Sequence, residues 1–275
     1  MRKLLILIGD GLAGSFRSRR AILFLFLYLG IFFVFCYGFI RVEARIVGEL
    51  EGQGVNEPAR TAVAGMAERV LRDRDETGIV DFLLTMPFFN TALFVLSIFA
   101  TPGLILLLRY DIPAREIEDG TPRFFTFRVS RSVFLSARFL GGIAEFALIT
   151  LVAHCAAIGW AAAVITGFPA GESFRAGLQF WLRLQLFFAV FIALSLLVST
   201  AVRKPFLSLL LAAAAVLVLL IIPAWTDYLS PFDINYVGGL FAPSSLPLYR
   251  SLGACAGFSL LFFSGAVLIF RRKNL

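Results

Sequence analysis

What most constrains this chain is the grouping of its apolar residues. They form uninterrupted blocks of about 20 residues, the length a helix needs to cross a hydrocarbon core. Six such blocks occur, at 21–40, 88–108, 139–166, 177–200, 206–224 and 252–270. Of the 275 residues, 59% are hydrophobic and 16% charged, whereas a soluble domain carries about 25% charge. A water-soluble enzyme of ordinary surface is therefore excluded. The expected fold class is all-α: one polytopic transmembrane domain over 1–275, with six transmembrane helices.

The net charge of +7 raises the question of nucleic acid, and the placement of the basic residues answers it. Five lie before the first block, six between 109 and 138, two at Arg203 and Lys204, and three close the chain at Arg271, Arg272 and Lys273. Short loops rich in Lys and Arg stay on the cytoplasmic side. Both ends are thus expected inside, and the charge records orientation on a lipid membrane, with no nucleic-acid partner. The first outer loop, 41–87, also holds six Arg, but nine acidic residues accompany them. A signal-peptide reading competes at the first block, where Arg17 to Arg20 precede an apolar run followed by Val42 and Ala44. That run of about 20 residues exceeds the usual 7–15 of a signal core, so the block is expected to stay as a span.

The segments between spans have their own patterns. Leu4, Leu5, Ile8, Leu12 and Phe16 recur at helical spacing before span one, as in an interfacial helix along the cytoplasmic leaflet. An unpacked amphipathic terminus is the alternative. In the outer loop, Val63, Met66, Ala67, Val70 and Leu71 form a stripe opposed by Glu68, Arg69, Arg72 and Asp73. Two short helices are expected in 41–87, as a contact for an extracytoplasmic partner or as a solvated connector. Pro231, Pro243 and Pro247 break the apolar stretch before span six into re-entrant or interfacial short helices.

Ionisable side chains inside spans are costly and face a bundle interior or a wet cavity. Glu145 and His154 fall in span three and Arg183 in span four, His154 and Arg183 at similar depth. They are candidates for an intramembrane polar patch, or for satisfied structural groups.

The chemistry of enzymes is poorly represented. Cys36, Cys155 and Cys255 lie within apolar blocks without C-x-x-C spacing, as buried small hydrophobes do. A single His gives no paired haem ligands and no Glu/His cluster for an intramembrane metalloprotease. Ser195 and Ser199 lack a G-x-S-x-G context. A phosphate-binding loop needs G-x-x-x-x-G-K-[S/T], yet Lys3, Lys204 and Lys273 all follow Arg. No catalytic residue, cofactor site or metal site is expected in this chain.

Between spans two and three runs RYDIPAREIEDGTPRFFTFRVSRSVFLSAR, residues 109–138. Glu116, Glu118 and Asp119 precede Gly120 and Thr121; Phe124 and Phe125 then lead to Ser130 and Arg131. This resembles the cytoplasmic loop of type-2 ABC transporter permeases, in which E-x-E-x-G-T is followed by an apolar stretch, then S-R and a Lys. Here Arg128 stands where many members have Pro, and Arg138 where Lys is commoner. The motif covers about 20 residues, but the plan of interfacial helix, six spans and inward termini matches over the whole chain. In scale the chain is similar to the permeases of nitrous-oxide-reductase maturation and gliding-motility ABC systems.

The resemblance implies a permease subunit in a bacterial or archaeal cytoplasmic membrane. Its implied partners are two copies of an ABC ATP-binding subunit, which carry ATP and Mg, and a second permease, either a copy or a paralogue. It further implies a cytoplasmic coupling helix, with Arg115, Glu116, Glu118, Asp119, Gly120, Thr121 and Arg131 as coupling residues. On spacing alone, this stretch reads first as a solvated charged loop. Competing expectations for the chain are a membrane anchor or assembly factor that does not transport, and an intramembrane enzyme.

Overall fold

The computed structural model describes residues 2–17, 22–23, 25–34, 37–38, 88–119, 129–164, 168–202, 204–224, 230–232, 234–240 and 245–273. All regular structure among them is helical. In chain order the helices are α1 (Arg2–Arg17), α2 (Leu25–Val34), α3 (Phe88–Arg109), α4 (Ala114–Glu118), α5 (Arg131–Val164) and α6 (Ala170–Ala201). There follow α7 (Pro205–Ile221), extended by a 3-10 turn over Ile222–Ala224, α8 (Ile234–Gly239) and α9 (Ser245–Arg272).

Among the described residues, four stretches are long and apolar enough to cross a membrane: Leu96–Glu118, which runs through the α3–α4 turn, Arg131–Val164, Ala170–Ala201 and Leu246–Arg272. Of the other two expected spans, the first is described in part, helical at 22–23, 25–34 and 37–38, and the fifth falls on α7, whose 17 residues reach about 26 Å at the α-helical rise. The helical stripe expected within 41–87 lies outside the described residues.

The centre of the bundle is α6. From Phe187 to Leu196 every residue is buried, so this helix is apolar around its whole circumference, as a helix surrounded by neighbours must be. It packs against α9, α5, α3 and α7. A ring cluster tightens one level: Phe187 lies edge-on to Phe191 at 5.0 Å and to Phe232 at 5.8 Å. By contrast α7 turns Ser208, Ala212 and Val216 inward and leaves Phe206, Leu210, Leu217 and Ile221 outside. Small residues at four-residue spacing allow close helix approach, and the bulky outer residues suit a hydrocarbon surrounding. In water such an apolar exterior would be an aggregation liability.

Helix ends follow local chemistry. Pro205 occupies the start of α7, where its missing N–H costs no bond. Ser130 caps α5, its Oγ accepting from the Val133 N–H at 3.4 Å. This cap starts α5 at Arg131, eight residues ahead of the expected apolar boundary at 139. Likewise α9 begins at Ser245, because Pro247 falls in its first turn, where proline is tolerated. Among the described residues of the broken stretch expected before span six, α8 forms a separate short helix. It closes on α9 at Gly239, where an added Cβ would lie 2.6 Å from the Pro247 carbonyl oxygen.

The N-terminal helix lies along α5, but the face it turns inward differs from the expected stripe. Leu4, Leu7, Ile8 and Leu12 are half-buried, whereas Leu5 and Ile6 are exposed. Every residue from Leu4 to Ile8 is apolar, so periodicity alone does not single out one face. Gly11 decides the contact: α1 approaches so closely that a Cβ there would sit 3.1 Å from the Arg138 guanidinium.

Candidate functional site

The α3–α4 turn is a well-anchored part of the described residues of the loop that carries the motif. After Arg109 the chain turns through Tyr110–Pro113, with the Ile112 N–H donating to the Arg109 carbonyl at 3.0 Å. From α6, the Ser199 hydroxyl donates to the Ile112 carbonyl at 2.7 Å. The Arg115 N–H then bonds to the Asp111 carbonyl at 2.7 Å and α4 begins, with Ala114 fully buried beneath it.

Charge binds this turn to α5. The Arg109 guanidinium donates to Glu145 Oε2 at 2.9 Å and, through its other terminal nitrogen, to the Arg138 carbonyl at 2.7 Å. The side chains of Arg109 and Glu145 are only 6% and 2% exposed. Gly142 provides the room: a Cβ on it would stand 2.7 Å from the Arg109 guanidinium carbon. Arg138 in turn pairs with Glu116 of α4, its Nε donating to Oε2 at 3.1 Å, and lies 5.3 Å over the Phe134 ring. One ion pair thus clips the five-residue helix to α5, while a second ion pair at Arg109 and the Ser199 hydroxyl hold the turn before it to α5 and α6. Against α1, the α3–α4 turn and α5 enclose a cavity of about 330 Å³.

The expected coupling residues divide into two groups. Glu116 faces inward to Arg138. Arg115, Glu118 and Asp119 are exposed, with Arg115 and Asp119 3.9 Å apart. Gly120 and Thr121 lie outside the described residues. Arg131 is directed to the end of α9: its guanidinium donates to the carbonyls of Phe270, Arg271 and Lys273 at 3.3, 2.8 and 2.9 Å. These are C-terminal helix carbonyls that lack intrahelical donors. The S-R pair therefore caps both ends of a contact, Ser130 starting α5 and Arg131 finishing α9.

Glu145, His154 and Arg183 have three separate sets of partners. Glu145 belongs to the charge network. His154 engages the Thr150 carbonyl through Nδ1 at 2.7 Å, with the Phe32 ring 5.6 Å away. Arg183 donates to the Leu240 carbonyl at 2.9 Å, tying α6 to the end of α8. A further polar group went unnoticed in the sequence: Tyr28 Oη stands 3.4 Å from Ser97 Oγ and 3.3 Å from Thr101 Oγ1, joining α2 to α3. Hydroxyls at 97 and 101, one helical turn apart, were the available signal. Arg109 and Arg138 were legible as loop charges; their joining role emerges only when α3 and α5 lie side by side.

A scan against models of known protein families finds no match to this chain, and a search of curated proteins finds none either.

Proposed function

We propose that this chain is the transmembrane permease subunit of a type-2 ABC transporter, coupling ATP hydrolysis by a separate ATPase to export or to work on an extracytoplasmic partner. The observation that carries the reading is α4. It sits within the motif-bearing loop, presents Arg115, Glu118 and Asp119 outward, and is fastened by Glu116–Arg138 to α5 and by Ser199–Ile112 to α6. A push on its outer face would reach both long helices through charge-assisted and hydroxyl bonds, which resist displacement better than apolar sliding contacts.

In this reading six spans cross a bacterial or archaeal cytoplasmic membrane with both termini inside. ATP and Mg reside on two partner ATPases, in keeping with the lack of a phosphate-loop motif in this sequence. A second permease, copy or paralogue, completes the pathway, and the loop at 41–87 is available to an extracytoplasmic partner. The predominantly apolar spans favour an apolar or amphipathic cargo.

The test is purification from native membranes in a mild detergent. An ATP-binding subunit that co-purifies, with hydrolysis dependent on this chain, would support the assignment. A chain that carries no ATPase under those conditions would argue for the membrane-anchor alternative.

A further inference from the structure

The end of the bundle that carries α4 also gathers cations with no task inside the protein. A basic side chain in the last turn of a helix ordinarily serves that helix's own unbonded carbonyls. In α9 this work is done from elsewhere: Arg131 of α5 donates to the carbonyls of Phe270, Arg271 and Lys273. The close of α6 is served likewise. The Lys273 ammonium donates to the Val202 carbonyl at 3.4 Å, which draws the end of α9 to the α6–α7 turn. Arg271 and Arg272, in the last turn of α9, are left exposed. So is Lys204, which precedes α7 and makes no side-chain capping bond to it. Among the described residues no ion pair engages these three side chains: Glu145 and Glu116 are committed to Arg109 and Arg138, and Asp119 lies beside Arg115.

What adjoins these cations is apolar. On the exposed side of α9, Leu261, Ser264 and Leu268 lead at three- and four-residue steps to Arg271 and Arg272, so the outward leucines and the two guanidinium groups share one face. On α7, Phe206 and Leu207 follow Lys204 directly, and Leu210 and Leu211 continue outward one turn later. Two outward apolar stripes thus finish, at the same end of the bundle, in unpaired positive charge. The complementary occupant is an amphiphile with an anionic head. A nucleic acid or an acidic soluble protein would meet the charge and leave the stripes bare; a zwitterionic lipid would cover the stripes but bring its own cation to the arginines.

We propose that Arg271, Arg272 and Lys204 form a docking surface for an anionic phospholipid, its phosphate held by the two guanidinium groups and drawn in by Lys204, its acyl chains lying along the outward stripes. Guanidinium suits this role because its planar fork donates parallel N–H bonds to phosphate oxygens, and basic clusters at a membrane surface attract anionic headgroups. The inference rests on the membrane reading of the chain and does not depend on a partner ATPase.

The full chain is purified in an uncharged detergent, and its Tm is followed on titration with dioleoyl phosphatidylglycerol, with dioleoyl phosphatidylcholine and with inorganic phosphate. The glycerol lipid should raise Tm by several degrees more than the choline lipid, and inorganic phosphate should not reproduce the shift. Arg271→Gln and Arg272→Gln together should remove at least half of that difference, and Lys204→Gln a smaller part. Arg250→Gln, also exposed but at the other end of α9, should keep it. Equal shifts from the two lipids, a full difference in the double variant, an equal loss in Arg250→Gln, or an equal and variant-sensitive shift with inorganic phosphate overturns the proposal. Flotation with phosphatidylcholine vesicles separates this from the membrane reading. A chain that floats but shows no preference for the glycerol lipid refutes the docking surface alone, and a chain that does not float refutes the reading on which it rests.

Discussion

Arg109 and Glu145 are 36 residues apart in sequence and meet at 2.9 Å with both side chains almost wholly shielded. One ends α3 and the other lies in the first half of α5, so the pair fixes these helices relative to each other just where the α3–α4 turn begins. Because the turn also carries α4, the same pair sets the position of the candidate coupling surface.

Breaking this pair on one side should be far worse than removing it altogether. Arg109→Leu leaves a buried carboxylate uncompensated and should cost about 3–5 kcal/mol, whereas the double variant Arg109→Leu, Glu145→Leu should recover much of that loss. A double-mutant cycle on unfolding of the purified protein measures the coupling; additive losses would mean that the two charges do not depend on each other.

Glu116 and Glu118 lie two residues apart in one short helix but point to different partners. Glu116→Arg sets two guanidinium groups against each other across the α4–α5 contact, and should lower Tm. Glu118→Arg alters only an exposed position and should leave stability within about 0.5 kcal/mol of wild type, while weakening capture of an ATPase subunit in a pull-down. Equal effects of the two reversals on Tm and on capture would refute this division.

Glycine positions give a steric test. Gly142→Ala places a methyl group against the Arg109 guanidinium, and should destabilise by about 1–3 kcal/mol through overpacking. Gly159→Ala, in the same helix with open space at the Cβ, should be neutral or gain about 0.5–1 kcal/mol from helix propensity. Thermal unfolding of the two variants side by side would show the difference, and a neutral Gly142→Ala would mean that Arg109 has slack the structure does not display.

Arg131→Ala removes the donor shared by three carbonyls at the end of α9. The last turn should fray, at a cost of about 1.5–3 kcal/mol for charge-assisted bonds. Limited trypsin digestion reads this directly: cleavage after Arg271 and Arg272 should become several-fold faster than in wild type, with cutting unchanged at every other site except 131, which the substitution itself removes.

Much of the architecture was legible from residue order, and the reasons are local. Blocks of about 20 apolar residues produce long helices because a helix satisfies its own backbone in an apolar setting, and the block at 88–108 reappears almost unchanged as α3. Boundaries moved where a cap or a proline acted: Ser130 extended α5 past the apolar edge, and Pro247 was absorbed into the first turn of α9. Arg131 entered as a member of a charged motif and is held, in the fold, by the carbonyls of another helix 139 to 142 residues away.

By itself the sequence determined that the chain is helical and apolar, and which segments carry charge, because composition and 3.6-residue periodicity act within one helix at a time. Tertiary structure alone decided which charges meet. Arg109, Glu145, Arg138 and Glu116 form a network only because α3 and α4 lie beside α5 and Gly142 leaves space for a guanidinium. Pairing of this kind depends on the close approach of distant elements, where burial removes the solvent that would otherwise screen each charge separately.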